Sequence, residues 1–466
     1  MKGAGCAGAQ HDQIRTLLKR KKEQTMTLHN CAIVILGASG DLASRKLIPA
    51  LEALYTKGKL CGATAIIGCG RTGFTNETFR RHFSAPEEFS IHLFYHQYIP
   101  GLKKFINSLG SFSRIIFFLA QPPSAYGPTA RELVAEGFSN EVSLIIEKPF
   151  GYDYDSAKAL NSELSACFAE DQIFRIDHYL GKEAVQNIMV FRFANAIFYP
   201  VWNSKYIESI QISALENSGI NERGGYFDRT GIIRDMVQNH LLQLLALLTM
   251  EPPVNLASEE IKNQKMNLLK AVSIEEIHRY QYDGYKSERG VRPDSTTETY
   301  AELKLSINNF RWSGLPIYIR TGKAVHRHGT EIGVRFKTLP KLLFNANGEI
   351  PPNQILFKIQ PAEGIVVDLA TKIPGTDEQV TRTYMNFCYK GSFRTESPEA
   401  YQRLLFDALK GDHTLFVSAA ETEVSWSLFE GLLDRGDVSI YPRGQLPRSN
   451  FDVDWIDFDK YVSFCT

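Results

Sequence analysis

The stretch that most restricts the fold of this chain is residues 32–60. Ala32-Ile33-Val34-Ile35-Leu36 is a short, unbroken apolar run and reads as a buried strand. It stops at Gly37. Gly37-Ala38-Ser39-Gly40-Asp41-Leu42-Ala43 then leads into a helical pattern from Arg45 to Leu60. Small residues here let the backbone approach a pyrophosphate, which would rest on the positive end of the helix. The spacing is a GxxGxxA variant of the dinucleotide fingerprint. A tight strand-to-helix turn needs the same residues, so the spacing alone leaves both readings open.

The pattern continues as alternating strands and helices. Strands are expected at Thr64–Gly68, Arg114–Leu119, Val142–Ile146 and Gln172–Ile176, with helices between them such as Pro128–Glu136. That alternation predicts an α/β unit, a doubly wound, Rossmann-like parallel sheet. After about residue 180 the pattern changes. Ile207–Leu215 alternates as a strand, and Ile232–Met250 reads as one long helix. Further strands are expected at Thr299–Leu305, Pro316–Thr321, Glu331–Phe336 and Asn353–Ile359, and helices at Pro398–Leu409 and Ala420–Leu433. Runs of strands joined by short turns predict a larger α+β unit on a mainly antiparallel sheet. With 466 residues, roughly two or three domains are expected. The division read here is a leader at 1–28 that is expected to be disordered, a dinucleotide-binding domain at 29–177 and an α+β substrate and oligomerisation domain at 178–466.

Charge and cysteine content exclude several classes. Lys plus Arg and Asp plus Glu both number 52, which argues against a dedicated nucleic-acid binder or a polybasic membrane protein. Apolar stretches such as Leu241–Met250 are far short of a membrane span. The seven cysteines, Cys6, Cys31, Cys61, Cys69, Cys167, Cys388 and Cys465, are scattered, as expected of free thiols in a reducing cytoplasm. No Cys/His spacing suggests a metal. The basic run Lys19–Lys22 lies beside no apolar core, so residues 1–28 are not a secretory signal. Either Met1 or Met26 could be the start.

Other residues stand out as candidate site groups. The second strand runs into Gly68-Cys69-Gly70-Arg71 and carries no acid where a ribose-binding carboxylate would be expected. An arginine there suits a 2′-phosphate, with Lys46 as a second cation, although Arg71 could equally be a surface residue. Lys148, in Glu147-Lys148-Pro149-Phe150-Gly151, sits at the carboxyl end of a strand, where ligands bind such sheets, or simply in a Pro-Gly turn. If Asp177 starts a helix, His178 and Lys182 share a face near its N-terminus and suit a phosphate. The other reading is a solvated helix start. His240 falls within the apolar arc of the long helix. Such a histidine is more often a satisfied core residue, yet held by a carboxylate it would be a competent base. Asp235 lies about 140° from it on an ideal α-helix, so the two do not share a face.

Taken together, GASGDLA (37–43), EKPFG (147–151), RIDHYLGKE (175–183) and RGGYFDRTGIIRDMVQNHLLQ (223–243) resemble the glucose-6-phosphate dehydrogenase family. Weaker similarity runs through 192–203, 287–303 and 320–325, so that the resemblance covers roughly residues 30–460. It implies oxidation of glucose 6-phosphate at C1 to 6-phosphogluconolactone, with hydride transfer to NADP. His240 resembles the general base, and Asp177 the carboxylate that orients it. His178, Tyr179 and Lys182 resemble the phosphate group's partners. Lys148 and Lys323 resemble the lysines that grip the sugar, Lys148 also facing the coenzyme. Glu216 and Asp235 resemble acids that bind its hydroxyls. Gly37, Ala38, Ser39, Gly40, Asp41, Leu42, Lys46 and Arg71 resemble coenzyme positions. The family implies a homodimer or homotetramer built through the second-domain sheet.

This sequence also departs from the family pattern. Five residues after Lys323, where a basic Arg or Lys is usual, stands His328, with Arg327 beside it; either could complete the pocket. Residues 80–105 are shorter than usual, and the first domain is expected to lack a helix or strand there. Residues 217–222 are atypical, while Glu216 is kept. Two alternatives remain on the sequence: a related hexose-6-phosphate dehydrogenase using NAD and NADP, and a catalytically silent NADP-binding homologue. The second predicts loss of Asp177 or His240, and both are present.

Overall fold

In a computed structural model the chain is described for residues 30–60, 63–339, 352–376, 379–393, 397–433, 437–458 and 460. The leader, its basic run, Met26, Cys6, Cys61 and Cys465 lie outside the described residues. The chain forms two compact units: 1–146 with 167–174 and 401–412, and 147–166 with 175–400 and 413–466.

The first unit is built on strands β1 (Cys31–Leu36), β2 (Ala65–Gly70), β3 (Leu93–Gln97), β4 (Arg114–Leu119), β5 (Val142–Glu147) and β6 (Ile173–Ile176), in the order β6-β5-β4-β1-β2-β3. β1 pairs in parallel with β2 and with β4, β2 with β3, and β4 with β5. All six residues of β1 are buried, as a strand covered on both faces requires. The order reverses between β1 and β4, and ligands of open parallel sheets bind at that reversal. Gly37 lies there with φ +93°, and a Cβ on it would come within 2.4 Å of the Ala120 carbonyl oxygen. Only glycine fits this turn.

The segment expected to lack a helix or strand carries both kinds of element. It holds the helix Asn76–His82, a turn of helix at Glu87–Ser90, β3, and the start of the helix Leu102–Leu109. β3 lies at the sheet edge, where buried residues alternate with partly exposed ones. It therefore lacks the unbroken apolar run that marks β1.

The second unit carries a nine-stranded sheet. Its strands are β7 (Ile207–Leu215), β8 (Val272–Tyr282), β9 (Tyr300–Ile307), β10 (Ile317–Gly322), β11 (Gly329–Phe336), β12 (Gln354–Gln360), β13 (Gly364–Lys372), β14 (Val380–Cys388) and, after the two-residue β15 (Phe416–Val417), β16 (Ser439–Tyr441). Their order is β14-β13-β12-β11-β7-β10-β9-β8-β16. The sheet is mainly antiparallel, but β10 runs parallel to β7 and β16 parallel to β8. β15 pairs antiparallel with Arg175 and Ile176, the end of β6.

Two local expectations are corrected here. Asp177 does not start a helix: residues 178–181 form turns, and the helix begins at Glu183 after Lys182. Asp177 Oδ1 accepts the Tyr179 amide N–H at 2.9 Å and closes a turn there. The helix expected at Ile232–Met250 is divided. A helix Gly224–Ile232 bends at Gly231, a π-helical stretch follows over Ile233–Leu241, and an α-helix completes it at Leu242–Thr249. Gly231 adopts φ +71°, and a Cβ on it would lie 2.3 Å from Glu298 Oε1. Glu298 fills that space. Its carbonyl accepts the Ile232 N–H at 3.0 Å and its Oε1 the Ile233 N–H at 3.1 Å, capping donors that the bend exposes. Every residue of Leu242–Thr249 is buried, so this helix is a core element.

Candidate active site

The glycine turn of the first unit is pinned from two sides. The Gly37 amide donates to the Cys69 carbonyl at 2.8 Å, and Thr72 Oγ1 donates to Ser39 Oγ at 3.2 Å. Ala38 is buried, Leu42 is half-buried, and Ser39, Gly40, Asp41 and Lys46 are exposed. Asp41 pairs with Arg45 at 2.6 Å. Arg71 follows β2, its carbonyl held by Gln97 Nε2 at 3.0 Å. It borders a cavity of about 660 Å³ together with Leu36, Gly70, Tyr98, Gln121 and Thr129. The cradle at Gly37, the helix start behind it and an arginine in place of an acid at the end of β2 fit a dinucleotide with a phosphorylated ribose.

The second unit brings the other candidate residues together. His240 Nδ1 and Asp177 Oδ1 are 2.6 Å apart, with both side chains almost wholly buried. Asp177 is at the end of β6 and His240 on the π-helical stretch. Tyr179 stacks on the His240 ring, centroids 4.4 Å apart and planes 20° from parallel, and its hydroxyl is 3.0 Å from Thr330 Oγ1. His178 meets His240 edge-on at 4.6 Å. Among the described residues, His240 Nε2 is buried with no protein partner. A proton on Nδ1 shared with Asp177 leaves a lone pair on Nε2, which is the form a base requires.

The electrostatics agree with that form. Burial disfavours the charged imidazole of His240 and outweighs the pull of Asp177, so its pKa is lowered. Burial alone would raise Asp177, but His240 beside it, with His178 and the Tyr179 amide, lowers it to about 2. The pair at neutral pH is therefore neutral imidazole and carboxylate. Burial also lowers the pKa of His178 strongly.

Beside the dyad lies a chain of alternating charges. Lys148 Nζ donates to the Asp235 carbonyl at 2.6 Å and to its Oδ1 at 3.3 Å. Lys323 Nζ is 3.9 Å from Asp235 Oδ2 and donates to Glu216 Oε2 at 2.7 Å. Burial would raise Asp235, yet Lys148 and Lys323 lower it to about 2. In a π turn the backbone closes from i to i+5, so residues five apart come nearly into line. Asp235 and His240 are five apart. The turn therefore places on one side two groups that an α-helix would separate.

Lys182 Nζ donates to Gln360 Oε1 at 2.8 Å and lies 5.6 Å from the Tyr179 ring centroid. It approaches His178 and Tyr179 through the turn, not along a helix face. Arg327 is held by Glu331 at 2.5 Å, while His328 is exposed just before β11. Among the described residues, none of the contacts of this cluster reaches His328. Asp177, His178 and His240 also bring one donor atom each within 4.8 Å of one another. Within this grouping Asp177 Oδ1 and His240 Nδ1 engage each other. Sequence reasoning missed Thr330 and Glu298. Both come from distant strands or loops and carry no local signal.

Residues 34–187 match the family model described as the NAD binding domain of glucose-6-phosphate dehydrogenase, and residues 189–451 the model of its C-terminal domain. The chain is 41% identical over 441 residues to the glucose-6-phosphate 1-dehydrogenase of Bacillus subtilis, covering 86% of this chain and 90% of that one. A solved glucose-6-phosphate dehydrogenase in complex with glucose 6-phosphate superposes with a TM-score of 0.86 at 37% identity, covering 91% of this chain and 96% of the other. The enzyme from Mycobacterium avium gives 0.82 at 30% identity, covering 92% and 100%. With two consecutive family models matching residues 34–187 and 189–451, the chain belongs to the glucose-6-phosphate dehydrogenase family.

Proposed function

We propose that this chain oxidises glucose 6-phosphate at C1 to 6-phosphogluconolactone and passes the hydride to NADP. The observation that carries the reading is the buried His240–Asp177 pair with Nε2 free, set beside Lys148, Asp235, Lys323 and Glu216. NADP supplies a nicotinamide ring that accepts a hydride. His240 Nε2 takes the proton of the C1 hydroxyl as the C1–H bond breaks with its electron pair. The imidazolium so formed lies against the buried Asp177 carboxylate, where the pairing is strong. Lys148, Asp235, Lys323 and Glu216 offer fixed donors and acceptors for the sugar hydroxyls and orient C1. His178, Tyr179 and Lys182 hold the 6-phosphate, with Lys182 supplying the positive charge. Arg71 binds the 2′-phosphate of the coenzyme at the open edge of its cavity, with Lys46 as an exposed second cation.

His328 is retained as a further substrate contact, favoured over Arg327 because Glu331 already holds that guanidinium. The domain division at 177/178 is kept as part of this reading. Association as a homodimer or homotetramer through the sheet of the second unit is supported by an exposed groove along β13 and β14, with Val190, Phe191, Phe198, Ile365, Met385 and Phe387 on its walls. Among the described residues no helix is long and apolar enough to cross a membrane. The free thiols of Cys31, Cys69, Cys167 and Cys388 support a cytoplasmic location.

The reading is tested by nicotinamide reduction with glucose 6-phosphate and with free glucose, each with NADP and NAD, in the wild type and Arg71→Ala. Fast reduction of NADP on the phosphorylated sugar is expected, with Arg71→Ala lowering the NADP-to-NAD preference about tenfold or more. No reduction with either coenzyme by folded protein would overturn it.

A further inference from the structure

A small cavity borders Asp177, the partner of His240. It is lined by Lys148, Phe150, Asp177, Gln238, Gln243 and Thr422, among others, and offers about 20 Å³ to the centre of a water molecule. That exceeds the roughly 10–15 Å³ one water needs, given two to four polar partners. Asp177 reaches His240 and the Tyr179 amide through Oδ1 alone. Its Oδ2 is buried and, among the described residues, has no protein partner. An ionised carboxylate with one bare buried oxygen is costly.

The polar groups around this cavity are oriented. Lys265 Nζ, on the helix Ser258–Leu269, donates to Gln243 Oε1 at 2.9 Å. An ammonium only donates, so it fixes which end of the Gln243 amide is oxygen and leaves Nε2 as a donor for the cavity. Lys265 is itself held by Glu421 at 2.7 Å, with side chains 1% and 0% exposed. Gln238 Nε2 donates to Ser425 Oγ at 2.8 Å, and the Thr422 hydroxyl donates to the Ser418 carbonyl at 3.0 Å. Gln238 Oε1 and Thr422 Oγ1 remain as acceptors. Lys148 lines the same cavity, but its ammonium donates to Asp235.

We propose that Gln243, oriented by Lys265 and Glu421, is a positioning residue for the catalytic pair, acting through one water that accepts from Gln243 Nε2 and donates to Asp177 Oδ2. A second proton of that water goes to Gln238 Oε1 or Thr422 Oγ1, so its valences are filled. The arrangement restrains rotation of the Asp177 carboxylate and withdraws part of its charge from His240. A buried Lys–Glu pair contributes little net stability against an apolar pair of the same volume. Fixing the Gln243 amide at the cavity beside Asp177 gives it a reason to be there. The inference rests on the assignment of His240 as the base.

Removing the donor has two consequences. The carboxylate loses one restraint, and it holds the His240 imidazolium more strongly. The titratable groups around the pair are His178 and Lys182 from the turn after β6, Lys148 after β5, Asp235 from the π stretch, Lys323 with Glu216 at the ends of β10 and β7, and Lys265 with Glu421 behind Gln243; of these, only Lys265 touches Gln243.

The test uses Gln243→Leu and Gln243→Glu in the full chain, with melting curves to verify folding. Gln243→Glu keeps the contact with Lys265 and presents an oxygen, not a donor, to the cavity. Both variants are expected to lose about tenfold in kcat, with KM for glucose 6-phosphate within about threefold of wild type. In both, the acid limb of the kcat/KM profile moves upward by about half a pH unit or more. Folded variants with kcat within about twofold of wild type, or with kcat lowered and the limb unmoved, would overturn the proposal and leave Gln243 a packing residue. If Gln243→Leu does not fold, Gln243→Glu decides. His240→Asn in the same series separates the failures: an active His240→Asn removes the base, whereas an inactive one beside unaltered Gln243 variants removes only the positioning role.

Discussion

Replacing Asp177 by Asn tests the reaction chemistry most sharply, because the change is isosteric. Asp177 Oδ1 lies 2.6 Å from His240 Nδ1, and both side chains are nearly inaccessible to solvent. Two unit charges about 4 Å apart interact by about 4 kcal/mol at the effective dielectric of about 20 that suits protein sites. That attraction exists only once His240 has taken the proton, so it acts on the transition state and not on bound substrate. At about 1.36 kcal/mol per factor of ten, its loss slows the chemical step about 10³-fold. A second effect adds to it. The Asn amide donates to Nδ1, which forces the imidazole proton onto Nε2 and removes the lone pair that accepts from the sugar. The expected loss in kcat is therefore about 10³- to 10⁴-fold, comparable to losing the orienting carboxylate of a serine-protease triad. KM for glucose 6-phosphate should stay within about threefold, since Asp177 is proposed to act through His240. Steady-state initial rates with saturating NADP measure both quantities. A kcat within about tenfold of wild type in folded Asp177→Asn would refute the claim that the carboxylate acts on the imidazolium.

Three further outcomes are expected. Lys182→Ala removes the cation proposed to hold the 6-phosphate, a contact worth about 1.5–3 kcal/mol; KM for glucose 6-phosphate should rise about 10- to 100-fold while the slow rate on free glucose hardly changes, and equal losses on both sugars would argue against a phosphate role. Because burial lowers the His240 pKa from the ordinary 6.5, the neutral base persists below that pH. The acid limb of kcat/KM should accordingly fall below pH 6.5, and a limb above it would contradict the burial argument. Gly231→Ala places a side chain at φ +71° and 2.3 Å from Glu298 Oε1. It should destabilise the protein by about 1–3 kcal/mol, seen as a lower urea midpoint, and should lower kcat by displacing the π-helical stretch; an unchanged midpoint would refute the constraint.

How much of this was legible in the sequence depended on how local each device is. The β1 turn is written in consecutive residues, so its strand, its glycines and its helix are all visible at 32–60. The edge strand β3, and β8 and β14 in the second unit, escaped because polar residues interrupt the apolar ones there, whereas β13, with its apolar Ile365-Val366-Val367, carried a local signal that went unread. Assigning His240 and Asp177 to one site came from the family motifs and not from periodicity. An ideal α-helix sets Asp235 well away from His240, and only the π turn brings them round. That turn depends on Gly231 giving room to Glu298, a residue 67 positions further on. Lys265 shows the same limit from the other side. A lysine in an amphipathic helix normally reads as solvated, and nothing nearby in sequence reveals that Glu421 and Gln243 bury it.

The most direct test of the account is kcat for NADP reduction by the wild type and His240→Asn on glucose 6-phosphate, with sugar-phosphate affinity measured separately by calorimetry. The account predicts rapid turnover by the wild type, a loss of about 10²- to 10⁴-fold or more in the variant, and nearly unchanged affinity. A variant that turns over at close to the wild-type rate would contradict the assignment of His240 as the base, and with it the mechanism built on the buried pair.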